Sequence, residues 1–367
     1  RLGDTRMEGG IRLKVFSFLG SSITAVDLGS YETKIIAGKQ EREGISVKKA
    51  FSFLTPPNTY DNGYIEDGFK LAAVVREELA KNNISGGTCH ITVKSTSILT
   101  REILLPKLSD KDIEGLLHYQ MEEHLPMDFS KYVIQHKAIE RITEDGKEKL
   151  NVLVAAVPKE LVETHYDFVR KLGLKPEVMD YQSNSIWKFL NHAGSVNGSL
   201  YPQDKTIAAI DLGYSSSNVT IISEGKAKLN RAIDSGGQSL DKNISSLTGL
   251  SGGEIKACKQ GIIDVSTVQE GYSEQNRYTN IVKTSIEGIM DKIDKVFRYY
   301  ASKEPEKRLE ALLLYGGLSR IRGIDNLFSG YFNIPALVLN STSRIYPNGD
   351  INAYVNCAGA LIRDNGV

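Results

Sequence analysis

Two short acidic turns, half a chain apart, combine residues that could do chemistry. Ile23 to Gly38 reads ITAVDLGSYETKIIAG, and Ile207 to Gly225 reads IAAIDLGYSSSNVTIISEG. Asp27 and Asp211 lie 184 residues apart in a chain of 367. Each closes an apolar run, is followed by Leu-Gly, and leads through a polar turn into a second apolar run. Apolar runs flanking a Gly-bearing turn predict a β-hairpin. Gly29 and Gly213 have no Cβ, so the backbone there can approach a ligand closely. Ser30 to Thr33 and Tyr214 to Ser217 can then aim amide N–H groups and hydroxyls at oxyanions, and concave amide clusters of this kind bind phosphate without many cations. Lys34 adds one positive point charge. Asp27 and Asp211 suit a magnesium ion held through its waters, because Mg²⁺ keeps much of its hydration shell. One such turn alone reads as an ordinary solvated hairpin. Two at half-chain spacing predict a duplicated α/β domain with a cleft between the halves.

The intervening patterns supply elements to position these turns. Apolar residues near a 3.6 period (Phe69, Leu71, Ala72, Val75, Leu79 and Ala80) predict a helix over Asp67 to Asn82. Thr88 to Val93 reads as a strand. Leu108-Ser-Asp opens a helix through His124 that stops at Leu125-Pro126, with Ser109 or Asp110 as its N-cap. A strand over Leu150 to Val157 and an amphipathic helix from Pro158 to Leu172, ended by Gly173, follow. Glu177-Val-Met-Asp180 leads into a helix around Ser185 to Leu190. Beyond the second hairpin, Ser235-Gly236-Gly237 makes a Gly-rich turn before helical stretches at Gln238 to Leu247 and Glu254 to Gln260. Asn280 to Ala301 is the longest helical pattern. Arg308 to Leu314 reads as a strand breaking at Tyr315-Gly316-Gly317-Leu318-Ser319, before a helix near Ile324 to Phe328. A helix start beside paired glycines is a place where a phosphate or base can approach. Ala353 to Ile362 is small and apolar around Gly359, which predicts a helix packed closely on a neighbour.

Composition narrows the function classes. Lys plus Arg and Asp plus Glu are both 45, so no basic excess favours nucleic acid. Cys89, Cys258 and Cys357 are odd in number and far apart, which argues for a reducing compartment. The six histidines show no metal-ligand pattern, and His118 and His124 do not have the spacing of a helical metal pair. No apolar run reaches the roughly 18 residues of a membrane helix, and Ile11 to Leu19, interrupted by Arg12, Lys14 and Ser17, lacks the features of a signal peptide.

These motifs, in this order, resemble the actin/hexokinase/heat-shock-chaperone ATPase fold. Asp27-Leu-Gly-Ser30 is similar to its first phosphate motif, with Lys34 at the place of the phosphate-contacting lysine of actins, and Asp211-Leu-Gly213 to its second. Leu314-Tyr-Gly-Gly-Leu-Ser319 resembles the adenosine motif. Asp180 and Ala358-Gly359-Ala360 fall where the two interdomain connecting helices are expected. The fold implied is α/β: two duplicated RNase H-like domains with a nucleotide cleft between them. The insertion from about Leu99 to Pro176 resembles the 1C subdomain of the FtsA and PilM branch, and the chain's ending after its last core helix, with no amphipathic tail, favours the PilM family. The implied subdomains are 1A at 22–98, 177–205 and 345–367, 1C at 99–176, 2A at 206–237 and 309–344, and 2B at 238–308.

The resemblance implies an ATP-dependent assembly factor of type IV pili. It would be cytoplasmic, held at the inner face of the membrane by docking the N-terminal cytoplasmic peptide of a PilN-type membrane protein. ATP and Mg²⁺ are the implied cofactors, with Asp27 and Asp211 at the metal. Gly29, Ser30, Thr33, Lys34, Gly213, Tyr214, Ser215, Gly236, Gly237, Lys259, Gly316, Gly317 and Leu318 are the implied nucleotide contacts. The family often places a Glu and a Lys three apart on the helix facing ribose and adenine. Here Lys259 fits the lysine, Lys256 stands at the glutamate's place, and Glu254 is the nearby carboxylate that could compensate. Two rivals are an FtsA-like filament-forming division protein and a small-molecule kinase. The kinase needs a carboxylate base in the cleft. Asp180 is the candidate, and it could equally orient water or cap a helix.

Overall fold

The computed structural model describes residues 22–41, 44–106, 115–116, 128–144, 147–346 and 349–363. The helix expected from Leu108 through His124 lies outside them except for Gly115 and Leu116, and so do its N-cap candidates, His118, His124 and the stretch Ile11 to Leu19. In chain order the first half begins with strands β1 (Ile23–Asp27), β2 (Glu32–Glu41) and β3 (Gly44–Leu54). A small hairpin of β4 (Tyr60–Asp61) and β5 (Tyr64–Ile65), helix α1 (Gly68–Lys81) and β6 (Thr88–Val93) follow. Then come β7 (Leu99–Pro106), β8 (Tyr132–Glu144), β9 (Lys147–Pro158), α2 (Lys159–Lys171), β10 (Lys175–Tyr181) and α3 (Gln182–His192). The second half repeats the opening with β11 (Thr206–Leu212), β12 (Ser217–Ser223) and β13 (Lys226–Ile233). It continues through α4 (Gly237–Thr248), α5 (Gly252–Gln260), α6 (Glu274–Lys303), β14 (Ala311–Tyr315), α7 (Ile324–Phe332), β15 (Ala336–Val338), β16 (Ile345–Tyr346) and α8 (Ile351–Leu361).

The two large sheets share a five-strand topology, to which the first adds β16 beside β3. The first runs β10-β6-β1-β2-β3-β16 and the second β13-β12-β11-β14-β15. In each, three antiparallel strands are extended by two parallel ones on the far side of the first strand. The duplication predicted from the paired hairpins is therefore a duplication of whole sheets.

Alternation along the strands divides the core. Val26, Leu28 and Ile35 face outward onto α1 and α2, while Ala25 and Ile36 face inward onto α3 and α8. In the second sheet Ala208, Ile210 and Leu212 join the cluster under α4, α6 and α7, while Ile207 and Ala209 join the shared inner cluster. This is the period-two geometry of a strand buried on both faces. The inner cluster takes residues from both sheets and both connecting helices, so it welds the halves at the base of the cleft.

One sequence expectation is corrected. Phe69, counted with the apolar stripe of α1, is 81% exposed. It stands about 200° around the helix from Leu71 at 3.6 residues per turn. Helix α2 packs on the outer face of the first sheet, where Phe168, Val169 and Leu172 share a cluster with Leu71 and Val75 of α1. The inserted unit is the antiparallel sheet β7-β9-β8, with its own small core of Leu105, Val152, Val154 and Ala156.

Candidate functional site

The loops between β1 and β2 and between β11 and β12 face one another across a cavity of about 430 Å³. Asp27 pairs with Lys34 across the first hairpin, and Asp211 pairs with Asn218 across the second, so both turns span the same number of residues. Tyr31 and Tyr214 meet where the turns approach, with ring centroids 5.0 Å apart.

The two carboxylates have different company. Asp27 is buried and receives three neutral donors: Thr92 Oγ1 at 2.8 Å, Gln182 Nε2 at 2.7 Å and Asn356 Nδ2 at 3.3 Å. Both amides must turn their nitrogens to the carboxylate, which leaves the carbonyl oxygens of Gln182 and Asn356 buried without a partner. Acceptors gathered around a carboxylate suit the waters of a hydrated cation, which only donate. Asp211 is instead met by an ammonium, Lys94 Nζ at 2.8 Å from Oδ2. The hydroxyl of buried Tyr315 is pushed well above its ordinary range by burial first, then by the charges of Asp211 and Asp27. Among the described residues no cluster of three or more His, Cys, Asp or Glu could hold a metal. A cation here would lean on one or two carboxylates, waters and phosphate, as magnesium commonly does.

The glycines shape the cradle. A Cβ on Gly213 would lie 2.4 Å from Lys94 Nζ and 2.6 Å from the Ser216 carbonyl. Gly316 has φ +91°, and a Cβ there would meet Asp211 Oδ1 at 2.4 Å. Its N–H donates to Asn352 Oδ1 at 3.0 Å, which ties the Gly-Gly turn to α8. A Cβ on Gly317 would meet nothing within 4 Å, so this edge is open to an approaching ligand. The first N–H groups of α4 are occupied: Gly237 N donates to the Gly213 carbonyl and Gln238 N to that of Tyr214.

Of the residues singled out from the sequence, Asp27, Gly29, Ser30, Lys34, Asp211, Gly213, Tyr214, Ser215, Gly237, Lys259, Gly316, Gly317 and Leu318 line this one cavity. Three do not. Thr33 is buried beneath the first turn, its hydroxyl 2.8 Å from that of Thr55. Gly236 backs the second turn, where a Cβ would strike the Tyr214 and Gly213 carbonyls. Asp180 is buried away from the cavity, bound by Lys188 Nζ at 2.7 Å, Asn184 Nδ2 at 2.7 Å and Ser185 Oγ at 2.9 Å. Its carboxylate anchors the start of α3 and is not free to orient water or accept a substrate proton. Gln182, two residues on, is the side chain that reaches the site.

Glu254 does not compensate for Lys256 either. It forms a capping box with Ser251 at the start of α5, while Lys256 itself lines the cavity. Lys259 is held by Asp241 at 2.7 Å.

Sequence reasoning missed Lys94, Gln182, Asn352 and Asn356. The two asparagines carried a signal, since they stand four apart in an otherwise apolar helix and so share a face. Lys94 carried none.

A family model for type IV pilus assembly protein PilM matches residues 25–355. Among solved structures, the chain is similar to the PilM–PilN type IV pilus biogenesis complex, with a TM-score of 0.77 and 16% identity over 92% of this chain and 97% of that one. It is also similar to the ethanolamine utilization protein EutJ of Carboxydothermus hydrogenoformans, with a TM-score of 0.56 and 14% identity over 93% and 89% of the two chains. MreB 5 of Spiroplasma citri bound to AMPPNP matches with a TM-score of 0.51 and 10% identity over 92% and 94%. The fold is that of the actin-like ATPases.

Proposed function

Since the chain belongs to the family of the type IV pilus assembly protein PilM, we propose that it binds ATP with magnesium in this cleft and docks the N-terminal cytoplasmic peptide of a PilN-type inner-membrane protein. The observation that carries the nucleotide reading is convergence: both Asp-Leu-Gly turns and the Gly316-Gly317 turn line one cavity. Asp27 with the free carbonyls of Gln182 and Asn356 would hold the hydrated metal, and the amides of the two turns would receive the phosphates. Magnesium, when bound, neutralises phosphate charge. Lys256, Lys259 and Leu318 would border the nucleoside. The fold neighbour bound to AMPPNP, an ATP analogue, supports the same use of the cleft.

The partner reading rests on family membership and on likeness to a chain solved with PilN. Among the described residues no helix is long and apolar enough to cross a membrane, so a docked peptide would supply the membrane address. The cytoplasmic face is the place this reading gives it. A kinase reading loses its base, because Asp180 is held by Lys188.

Calorimetric titration should give an ATP–Mg²⁺ dissociation constant in the micromolar range, roughly −8 kcal/mol. Fluorescence anisotropy with the first dozen residues of a PilN-type inner-membrane protein should show binding. The two ligands should shift one another's affinity reciprocally by about 1–3 kcal/mol. A chain that ignores the peptide with and without ATP–Mg²⁺ is not a pilus adaptor.

A further inference from the structure

The two phosphate turns differ in the source of their cation. In the first, Lys34 stands opposite Asp27, and its Nζ donates to the Glu32 carbonyl at 3.3 Å. In the second, Asn218 occupies the matching place opposite Asp211 and donates to Ser183 Oγ at 2.7 Å. The second turn nevertheless carries an ammonium. Lys94, just past β6 in the other domain, donates to the Ser216 carbonyl at 3.1 Å and to Asp211 at 2.8 Å. Ser216 is the counterpart of Glu32 in the repeated turn. The ammonium lies over Gly213, as Lys34 Nζ lies near Gly29, where a Cβ would be 3.6 Å from it. Each turn thus has a lysine on the same carbonyl beside the same glycine, one from within the hairpin and one from across the cleft.

We propose that Lys94 is the phosphate-contacting cation of the second turn, supplied in trans by the opposite domain. This rests on reading the cleft as an ATP site. The side chains of Lys94 and Asp211 are 16% and 7% exposed, so the ammonium is poorly hydrated and needs an anion. When Asp211 turns to a hydrated metal, a phosphate oxygen brought over Gly213 is the replacement within reach. Because Lys94 reaches the second turn only when the domains stand this close, its contact rewards a closed cleft. It also lies five residues before β7, so the same contact bears on the root of the inserted sheet.

The test is calorimetric titration of the full chain with ATP–Mg²⁺ and with adenosine. Lys94→Gln keeps a donor for Ser216 and Asp211 but removes the charge. It should weaken ATP–Mg²⁺ by about tenfold or more, as expected for losing a charged hydrogen bond, and leave adenosine unchanged. Lys94→Arg should keep most of the affinity. Adding Asn218→Lys to Lys94→Gln should recover part of the loss by restoring a cation from within the hairpin. Unchanged or tighter ATP–Mg²⁺ binding by Lys94→Gln would mean that Lys94 only neutralises Asp211, and would overturn the proposal. Wild-type chain that binds no ATP–Mg²⁺ would instead remove the nucleotide reading and this inference together. Reductive ¹³C-methylation of wild-type lysines gives a readout independent of any variant's folding. The Lys94 resonance should shift with ATP–Mg²⁺ and not with adenosine, and a resonance that stays put under saturating ATP–Mg²⁺ also overturns the proposal.

Discussion

Asp27 receives three neutral donors, while Asp211 faces an ammonium, and this contrast sets what each substitution should do. Asp27→Ala removes the carboxylate around which the Gln182 and Asn356 amides are organised, and Asp211→Ala leaves Lys94 unpaired. Either should weaken ATP–Mg²⁺ by about tenfold, as loss of a charged contact does, and the loss should shrink when magnesium is omitted. Unaltered titrations for both would remove them from the metal site. Asp180 behaves differently because it neutralises Lys188, whose ammonium also donates to the Ile362 carbonyl. Asp180→Ala should destabilise the fold by about 3–5 kcal/mol, the cost of leaving a buried charge unpaired, with ATP affinity intact. Denaturant unfolding beside calorimetry separates these outcomes, and loss of turnover at unchanged stability would return Asp180 to a catalytic role. Two buried histidines add a pH dependence. Burial lowers His90 and His165 to about 4 each, below the ordinary value of about 6.5. On acidification the unfolded chain takes up protons first. Their stabilising contribution is therefore complete above about pH 6.5 and is lost as pH falls toward 4. Imidazole resonances that titrate near 6.5 in the folded chain would contradict this.

Helices α3 and α8 cross at the base of the cleft, and the crossing depends on one absent side chain. A Cβ on Gly359 would lie 2.0 Å from the Ser185 carbonyl oxygen. Gly359→Ala must push the helices apart in the cluster that joins both sheets, and overpacking of this kind costs about 1–3 kcal/mol. Chemical denaturation should show a lower midpoint with an unchanged slope. An equally stable variant would mean that the crossing can relax. Small residues in Ala358-Gly359-Ala360 announced a close approach but not its partner, which is the backbone just beyond Asp180. His90 Nδ1 on β6 donates to the Ala360 carbonyl at 2.6 Å, so the same helix end is also pinned to the first sheet.

At the scale of the molecule, the inserted sheet is expected to be separable. Leu99 pairs with Ala156 across β7 and β9, so the ends of the segment from Leu99 to Ala156 lie about one strand spacing apart. A short linker can close that gap while α2 stays on the first sheet. The resulting chain should keep ATP–Mg²⁺ binding and lose the peptide. Loss of ATP as well would show that the inserted sheet supports the cleft. Turnover should be slow, well below the ~10 s⁻¹ typical of enzymes. Gln182 is an amide, which can orient a water but is a poor proton acceptor, and Asp180 is engaged elsewhere. Enzyme-like phosphate release without a partner would contradict this. Slow turnover suits a bound state that must last long enough to be read.

What could be read from the residues in order was whatever depends on neighbours in the chain. The two hairpins, the glycines at their turns, the strand into Gly316-Gly317 and the helix expected over Asp67 to Asn82 all follow from local spacing. The repeat at half-chain distance predicted a duplicated α/β domain, and the two sheets share five strands of one order. Only the tertiary structure decided which residues from distant segments meet. It sent Asp180 to Lys188 and Gln182 to Asp27, docked α2 on the first sheet, and carried Lys94 across the cleft to Asp211. Periodicity reports which face of an element is buried, whereas pairing between elements depends on their relative placement, which the packing of the shared core between the two sheets imposes.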